Sequence, residues 1–186
     1  MNKTFFSSDL HGSHRNILLH QPNRTLLYKT MEEHDNALIK NWNSVVGQND
    51  TVWLLGDIAL CGFERLNQFV WLLNGKIHVC LGNHDKPKHL TKTNRFESIQ
   101  DVKYTTIQDQ NIFMSHYAHR VWPKSHRGSI MLYGHSHGSL LDDPNALSID
   151  VGVDCHNMFP ISFEQVMEIM RTKTYKPVDK HGEERN

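Results

Sequence analysis

The chain has 186 residues, of which 38% are apolar, with 20 acidic and 20 basic side chains, so a single domain with a sizeable core is expected. Because the charges balance, no global field favours a nucleic-acid or membrane partner, and no segment approaches the roughly 20 apolar residues of a membrane span. The N-terminus lacks the apolar stretch of a signal peptide, and the three cysteines show no ligand-like spacing. Both features predict a cytoplasmic protein with free thiols.

Strands and helices alternate in the first half of the chain. Apolar runs predict strands at residues 3–8, 51–55 and 76–81, and a helical period predicts helices at 28–46 and 63–73. This order predicts βαβ units and a parallel sheet. Such sheets place ligand sites beyond the carboxyl ends of their strands.

The second half contains more strands. Residues 86–101 are interpreted as a polar connection, and residues 102–107 and 111–114 as the strands of a β-hairpin. Further strands are predicted at 130–133 and 148–153, the latter being the last strand expected.

A short helix and a tail are expected to close the chain. Ser162 is a suitable N-cap for a helix at 163–170. The folded domain is therefore expected to span residues 1–171, and residues 172–186 are expected to form a charged, mobile tail.

Polar side chains follow the predicted strands at the points where they end. Gly82 follows one strand, where it is expected to permit a tight turn. Asp9 and His11 are two residues apart and therefore point the same way from extended backbone, and His135 and His137 repeat that spacing. The full set of candidate ligands is Asp9, His11, Asp57, Asn83, His116, His135 and His137.

Seven nitrogen and oxygen ligands are too many for one tetrahedral zinc site, and they suit two adjacent ions that share a carboxylate. No cysteine belongs to the set, which argues against a structural zinc site. Two carboxylates against two divalent ions leave the site positive, and the acid-free basic loops at 86–96 and 117–129 add to that charge. A positive site favours a phosphate.

Paired ions also suggest a reaction. Two ions about 3.5–4 Å apart can clamp phosphate oxygens and ionise a bound water near neutral pH. His84 lies next to the candidate ligand Asn83 and is not itself needed as a ligand. It is therefore predicted to serve the leaving oxygen as general acid or as a hydrogen-bond donor in the transition state.

The motifs Asp9-x-His11, Gly56-Asp57, Gly82-Asn83-His84-Asp85, His116 and Gly134-His135-x-His137 resemble, in this order, those of the calcineurin-like metallophosphoesterases. The resemblance implies a four-layer α/β/β/α sandwich of two mixed sheets flanked by helices. It also implies two divalent metal ions, with manganese expected first and iron, nickel or zinc as alternatives. One ion would be held by Asp9, His11, Asp57 and His137, and the other by Asp57, Asn83, His116 and His135, while His84 matches the catalytic histidine.

One motif departs from part of the family. In the protein Ser/Thr phosphatases it continues as Gly-Asp-x-x-Asp-Arg-Gly, and its second Asp orients the catalytic histidine. Here Leu60 stands at that position and the arginine is missing. The departure argues against phosphoprotein specificity and leaves the partner of His84 open, with the adjacent Asp85 as one candidate.

The sequence therefore predicts a phosphoesterase that hydrolyses phosphorylated small molecules or nucleotides with a hydroxide activated by a dinuclear centre, with Arg120 contacting phosphate. A phosphodiesterase or nuclease is the first alternative, in which Trp122 would stack on a base, although a packed loop tryptophan is an equal interpretation. A non-catalytic scaffold is the second, against which the presence of His84 argues. Nucleic acid is not indicated as a partner, and the oligomeric state is left open.

Overall fold

The computed structural model describes residues 2–179, which form two β-sheets with flanking helices. In chain order the strands are β1 (Thr4–Ser7), β2 (Thr51–Leu54), β3 (Lys76–Cys80), β4 (Ser98–Gln100), β5 (Val102–Ile107), β6 (Gln110–Ser115), β7 (Ile130–Tyr133), β8 (Ser148–Asp150) and β9 (Ile161–Ser162). The helices are α1 (Ile17–His20), α2 (Pro22–Leu27), α3 (Met31–Val45), α4 (Phe63–Trp71), α5 (Pro87–Lys92) and α6 (Phe163–Arg171).

Both sheets are mixed. The first has the strand order β4-β3-β2-β1-β9, in which β1 to β4 are parallel and β9 is antiparallel to β1. The second has the order β5-β6-β7-β8, in which only the β5–β6 pair is antiparallel. The predicted fold class, α/β with two mixed sheets flanked by helices, is confirmed.

The core lies on both faces of the first sheet, because alternate residues of a strand point to opposite faces. Phe5 and Val52 belong to the cluster that includes α3 and α4, whereas Phe6 and Trp53 belong to the layer between the two sheets. Burial of both faces explains why these strands read as nearly continuous apolar runs. The carboxyl ends of the strands therefore emerge from a rigid, doubly covered sheet.

The outer face of the second sheet is covered by a loop. Phe113, Met131 and Tyr133 pack there against Trp122, which lies in the connection between β6 and β7. The indole Nε1 of Trp122 donates to the carbonyl of Ser129 at 3.0 Å, and the residue is 7% exposed. Of the two interpretations of Trp122, the structure shows the packed loop residue.

The interpretation of residues 86–101 as a polar connection was wrong. The segment contains helix α5, whose one buried residue is Leu90, and strand β4, which extends the first sheet at the edge of β3. Strand β4 has three residues of intermediate burial. A strand this short has no recognisable alternation, and its pairing with β3 is a tertiary effect that the local sequence does not carry.

Strand β8 ends at Asp150 and is not the last strand, because β9 follows it and pairs with β1. The predicted closing helix is confirmed as α6, with Ser162 and Gln165 forming a capping box. The sequence analysis also missed α1 and α2, which precede α3. Among the described residues, no helix is both long and apolar enough to cross a membrane.

The predicted mobile tail is described up to residue 179, and residues 180–186 lie outside the described residues. The Thr174 and Lys176 backbone N–H groups donate to the carbonyls of Pro144 and Asn145, both at distances under 3 Å. Mobility of the tail stays a prediction. The described part lies against the outer face of the second sheet.

Candidate metal centre

The strand ends bring all seven candidate ligands to one edge of the two sheets. Their His and Asp members form two groups whose ligand atoms lie within 4.8 Å of one another. The first group, here called cluster A, comes from β1 and β7, and the second, cluster B, comes from β2, β6 and β7. Cluster A consists of Asp9, His11 and His137, and cluster B of Asp57, His116 and His135, with Asn83 beside it.

Cluster A contains polar atoms that have no partner. Asp9 Oδ1 lies 4.0 Å from His11 Nε2 and 3.9 Å from His137 Nε2. Asp9 Oδ1 and His11 Nε2 are buried and have no hydrogen-bond partner among residues 2–179. Because leaving buried polar atoms unpaired is costly, such atoms require an explanation. A cation bound between them would provide one, so the residues of cluster A fit a metal ion.

Cluster B is built around an amide oxygen. Asn83 Oδ1 lies 2.9 Å from His116 Nε2 and 3.0 Å from His135 Nδ1. Asp57 Oδ2 lies 3.6 Å from His116 Nε2 and equally 3.6 Å from His11 Nε2 of cluster A. One carboxylate oxygen is therefore placed between the two clusters, where it could bridge two ions.

The backbone at these ligands is unusual. Asp9, His11, Asp57, His135 and His137 all have positive φ angles, between 48° and 69°. This left-handed region is uncommon for residues with a side chain and costs free energy at each position. It turns each side chain at the point where its strand ends, so local backbone strain accompanies the convergence of the ligands.

Two glycines allow the strand ends to approach one another. A Cβ at Gly82 would overlap the carboxylate and the backbone nitrogen of Asp57, and a Cβ at Gly134 would overlap Ser8 and Asp9. Gly82 does not have a positive φ. Gly82 is therefore required because the backbone of Asp57 approaches it closely, and not because of the tight turn expected from the sequence. Gly56 has a φ of 92°, and a Cβ there would overlap the backbone of Gly82.

Two imidazole rings are oriented by hydrogen bonds at Nδ1, the ring nitrogen that faces away from the clusters. His116 Nδ1 lies 2.7 Å from the carbonyl oxygen of Leu55, which can only accept, so Nδ1 carries the proton. His137 Nδ1 lies 2.6 Å from Asp154 Oδ2. In both rings this leaves Nε2 directed at a cluster with its lone pair available, as metal-ligating histidines require.

Asp154 is held in turn by Arg24, a fully buried residue of α2. The guanidinium donates to both carboxylate oxygens of Asp154, at 2.8 and 2.6 Å. It also donates to the carbonyls of Asp9 and Leu10 and to His34 Nε2. Arg24 therefore connects the backbone of one ligand to the residue that orients another.

The sequence analysis missed both Arg24 and Asp154. They are 130 residues apart, and neither stands in a recognisable motif. Arg24 lies in α2, and no helix was predicted for that segment, so nothing indicated that this arginine is buried. His34 and Asp35 lie outside both clusters, and His34 donates through Nδ1 to Asp35, 3.0 Å away.

Burial shifts the pKa values in cluster A. Burial raises the pKa of Asp9 to about 6 and, together with the nearby His137, lowers the pKa of His11 to about 2. Burial opposes the protonation of His137, but its hydrogen bond to Asp154 and the negative charges of Asp9 and Asp154 together outweigh burial and raise its pKa. The pKa of Asp154 lies well below its usual range, since the bonds from Arg24 and His137 outweigh the effect of burial.

His84 lies at the solvent side of the clusters. Its side chain is 42% exposed, and Nε2 lies 3.9 Å from Asp57 Oδ2. Its backbone N–H donates to Asp57 Oδ1 at 2.9 Å, and its ring centroid is 5.6 Å from that of His11 and 6.1 Å from that of His14. Its ring makes no hydrogen bond to any of residues 2–179.

Asp85 does not orient His84. Its carboxylate accepts the backbone N–H groups of Asp57, Ile58 and Gly82, at 2.9 to 3.1 Å. Asp85 therefore fastens the end of β2 to the end of β3. His14 also lies nearby, with its Nδ1 3.3 Å from His11 Nδ1 and its ring centroid 6.1 Å from that of His84.

Arg120, predicted to contact phosphate, lies in the loop after His116 and outside both clusters. Its side chain is exposed and borders a cavity on the outer face of the second sheet. Contact between Arg120 and phosphate stays a prediction.

A two-sheet α/β fold with mixed Asp and His clusters at its strand ends is the architecture of a metal-dependent phosphoesterase family, and sequence comparison agrees. Residues 4–156 match the model of a family described as "Calcineurin-like phosphoesterase superfamily domain". The chain belongs to this superfamily, as the ordered motifs predicted.

The chain is also similar to individual proteins over most of its length. It is 30% identical to an uncharacterized protein of Methanocaldococcus jannaschii, covering 91% of this chain and 92% of the relative. It is 28% identical to the Gene 66 protein of Mycobacterium phage L5, covering 83% and 87%. A crystal structure of a protein of unknown function from Aquifex aeolicus shares the fold, with a TM-score of 0.70, 21% identity and coverage of 91% and 100%.

Proposed function

We propose that this protein hydrolyses phosphate esters with two divalent metal ions, manganese being the first expected. The proposal is supported above all by Asp57 Oδ2, which lies 3.6 Å from a histidine Nε2 atom of each cluster. A carboxylate oxygen shared by two histidine groups suits paired ions better than one isolated ion. The unpaired Asp9 Oδ1 and His11 Nε2 add the need for a cation.

Each residue has a proposed role. Cluster A with Asp57 would hold one ion, and cluster B with Asn83 would hold the other. When bound, the ions would supply the positive charge that holds phosphate oxygens and favours ionisation of water near neutral pH. His84 would then place a proton on the leaving oxygen, since its ring projects beside Asp57 and makes no hydrogen bond among residues 2–179.

The proposed substrates are phosphorylated small molecules or nucleotides, in the cytoplasm. A phosphodiesterase or nuclease using the same centre is the alternative chemistry. Trp122 is 7% exposed and reaches solvent only in the wall of a cavity, so it does not offer the open, exposed ring on which successive bases of a nucleic-acid strand stack.

The test is a screen of phosphomonoesters, phosphodiesters and short nucleic acids after chelation and reconstitution with manganese, iron, nickel or zinc. We expect metal-dependent hydrolysis, with two ions bound per chain by elemental analysis. Full activity in the metal-free protein would overturn the proposed centre. Absence of hydrolysis with every metal and ester would instead support the non-catalytic scaffold.

A further inference from the structure

A cavity of about 410 Å³ lies on the outer face of the second sheet, within the size range of small-molecule sites. Trp122 and Tyr133, both almost fully buried, contribute to its floor. Leu140, Leu141 and Val178 line it and are 48%, 90% and 56% exposed. Large apolar side chains left uncovered around an aromatic floor are suited to an apolar ring.

The cavity is a built feature, because hydrogen bonds hold its walls together. The Tyr175 hydroxyl donates to the carbonyl of Ser125 and accepts the N–H of Gly128. The backbone N–H of Lys176 donates to the carbonyl of Asn145. The segment after α6 is thereby fixed to both the β6–β7 loop and the β7–β8 loop.

The acidic side chains at the cavity accept hydrogen bonds, whereas two of its basic side chains do not form any. Of its two acids, Asp143 accepts the Asn145 N–H, and Asp179 accepts a hydrogen bond from Ser125. Arg120 and Lys176 also line the cavity, and the side chain of neither forms an ion pair or hydrogen bond within residues 2–179. The cavity therefore offers free cations beside an apolar interior, which suits a ring that carries an anion.

The cavity also lies close to the metal centre. Ala118, in its wall, is two residues from His116, and Leu140 is three residues from His137. Because a chain extends at most about 3.6 Å per residue, the Cα atoms of these wall residues lie within about 7 and 11 Å of the Cα atoms of the two ligands. A phosphate ester of nucleotide size could therefore reach from one to the other.

From these observations we propose that the cavity binds the organic group of the phosphate ester, and that this group is a planar ring with polar edges, as in a nucleotide. Arg120 and Lys176 contact the phosphate side of the ester at the cavity. Asn145 also lines the cavity, and because its side-chain amide nitrogen makes no hydrogen bond to any of residues 2–179, it would donate to an edge of the ring. The inference rests on the proposed function for its substrate, but the cavity can be tested separately.

The first test is kinetic and uses a substitution that fills the cavity. Ala146→Phe places a ring in it, and the activity is compared on adenosine 5′-monophosphate and glycerol 3-phosphate. If the centre prefers diesters, the pair is thymidine 5′-(p-nitrophenyl phosphate) and methyl p-nitrophenyl phosphate. We expect KM for the ring-bearing ester to rise by at least about tenfold and kcat/KM for the small ester to stay within about twofold. Equal effects on both esters, or no effect, would overturn the inference.

A charge variant provides a second test in case Ala146→Phe does not fold. Arg120→Gln removes an exposed cation of the cavity, and Arg127→Gln is its matched control, because Arg127 is an exposed arginine of the same loop outside the lining. We expect only Arg120→Gln to raise KM for the ring-bearing ester by severalfold. Equal behaviour of the two variants would count against the proposed contact.

A binding measurement separates this inference from the proposed function. Metal-free protein is titrated with adenosine 5′-monophosphate while the four tryptophan indole N–H signals are followed by NMR, Trp122 being assigned through Trp122→Phe. We expect the Trp122 signal to move and those of Trp42, Trp53 and Trp71 to stay. A Trp122 shift in a protein that hydrolyses no ester would retain the cavity and reject the proposed function, whereas hydrolysis without a Trp122 shift would reject the cavity.

Discussion

His137 Nδ1 and Asp154 Oδ2 are 2.6 Å apart, and this contact fixes the ring that closes cluster A. The carboxylate is ionised, since its pKa lies well below the usual range under the influence of Arg24 and His137. It therefore accepts the Nδ1 proton and leaves Nε2 of His137 facing Asp9 Oδ1, 3.9 Å away. The orientation of a candidate ligand thus depends on a residue that lies outside both clusters.

Replacing Asp154 should weaken metal binding at cluster A. In Asp154→Asn the amide can present its nitrogen to His137 and loses the charge that pairs with Arg24. We expect metal affinity to fall about 10- to 100-fold, the usual effect of removing an outer partner of a ligating histidine. Titration calorimetry on chelated protein measures this. Asp142→Asn, at an exposed acid outside the clusters, is the control, and equal losses in both variants would contradict the positioning role.

The contrast between the ligands and their supports shows how far the sequence predicts the site. Asp9, Asp57 and Asn83 could be found because each lies two or three residues beyond the end of a strand, and parallel strands gather their carboxyl ends at one edge. Arg24 and Asp154 could not, because their pairing arises only when distant segments pack. The ligands can be recognised from the local sequence, whereas the residues that orient them are brought together only by the tertiary fold.

The fold shows the same limit. The apolar runs of β1, β2 and β3 and the capping signal of Ser162 are visible in the local sequence, so these elements could be predicted. Strand β4 has three residues and exists through its register with β3. The left-handed backbone of the ligands could not be foreseen either, because none of them is a glycine.

Asp85→Asn should destabilise the protein even without metal. The Asp85 carboxylate accepts three backbone N–H groups, and an amide offers one oxygen and a nitrogen that cannot accept. At least one buried N–H would lose its partner, at a cost of about 1–3 kcal/mol in the free energy of unfolding. Chemical denaturation of chelated protein tests this, with the exposed Asp101→Asn as control. An unchanged midpoint would show that Asp85 does not fasten the strands.

Asp57→Asn should weaken both metal sites together. Its Oδ2 lies between the two clusters, while Oδ1 accepts the N–H of His84, a bond that an amide oxygen can keep. The fold should therefore persist while the shared negative charge is lost. We expect affinity at both sites to fall by more than the roughly 100-fold seen for outer partners. Elemental analysis after dialysis against limiting metal measures occupancy, and loss of only one ion would contradict the shared position.

His84→Ala should keep the metal and lose turnover. The ring is half-exposed and lies 3.9 Å from Asp57 Oδ2 without joining either cluster. As a general acid it should contribute about 100- to 10,000-fold to kcat for an alkyl phosphate. The loss should be much smaller for a p-nitrophenyl ester, whose leaving oxygen needs no proton. Equal losses on both esters would contradict the proton-donor role, and loss of metal would show that His84 is a ligand.

Metal binding at cluster A should weaken as the pH falls below about 7, because an ion must displace protons from its ligands. Burial raises the pKa of Asp9 to about 6, and although burial opposes the protonation of His137, the bond to Asp154 and the charges of Asp9 and Asp154 together raise its pKa. Both groups therefore gain protons as the pH falls through these values. The pKa of His11 is lowered to about 2 by burial and His137, so His11 stays neutral and releases no proton.

Calorimetry at pH about 6 in two buffers of different ionisation enthalpy should therefore show net proton release on metal binding, and the release should vanish at higher pH. In Asp154→Asn the pKa of His137 loses its main raising interaction, so fewer protons should be released at pH about 6. An affinity that does not change between pH about 5.5 and 7.5 would mean that Asp9 and His137 are not the protonated ligands of this cluster.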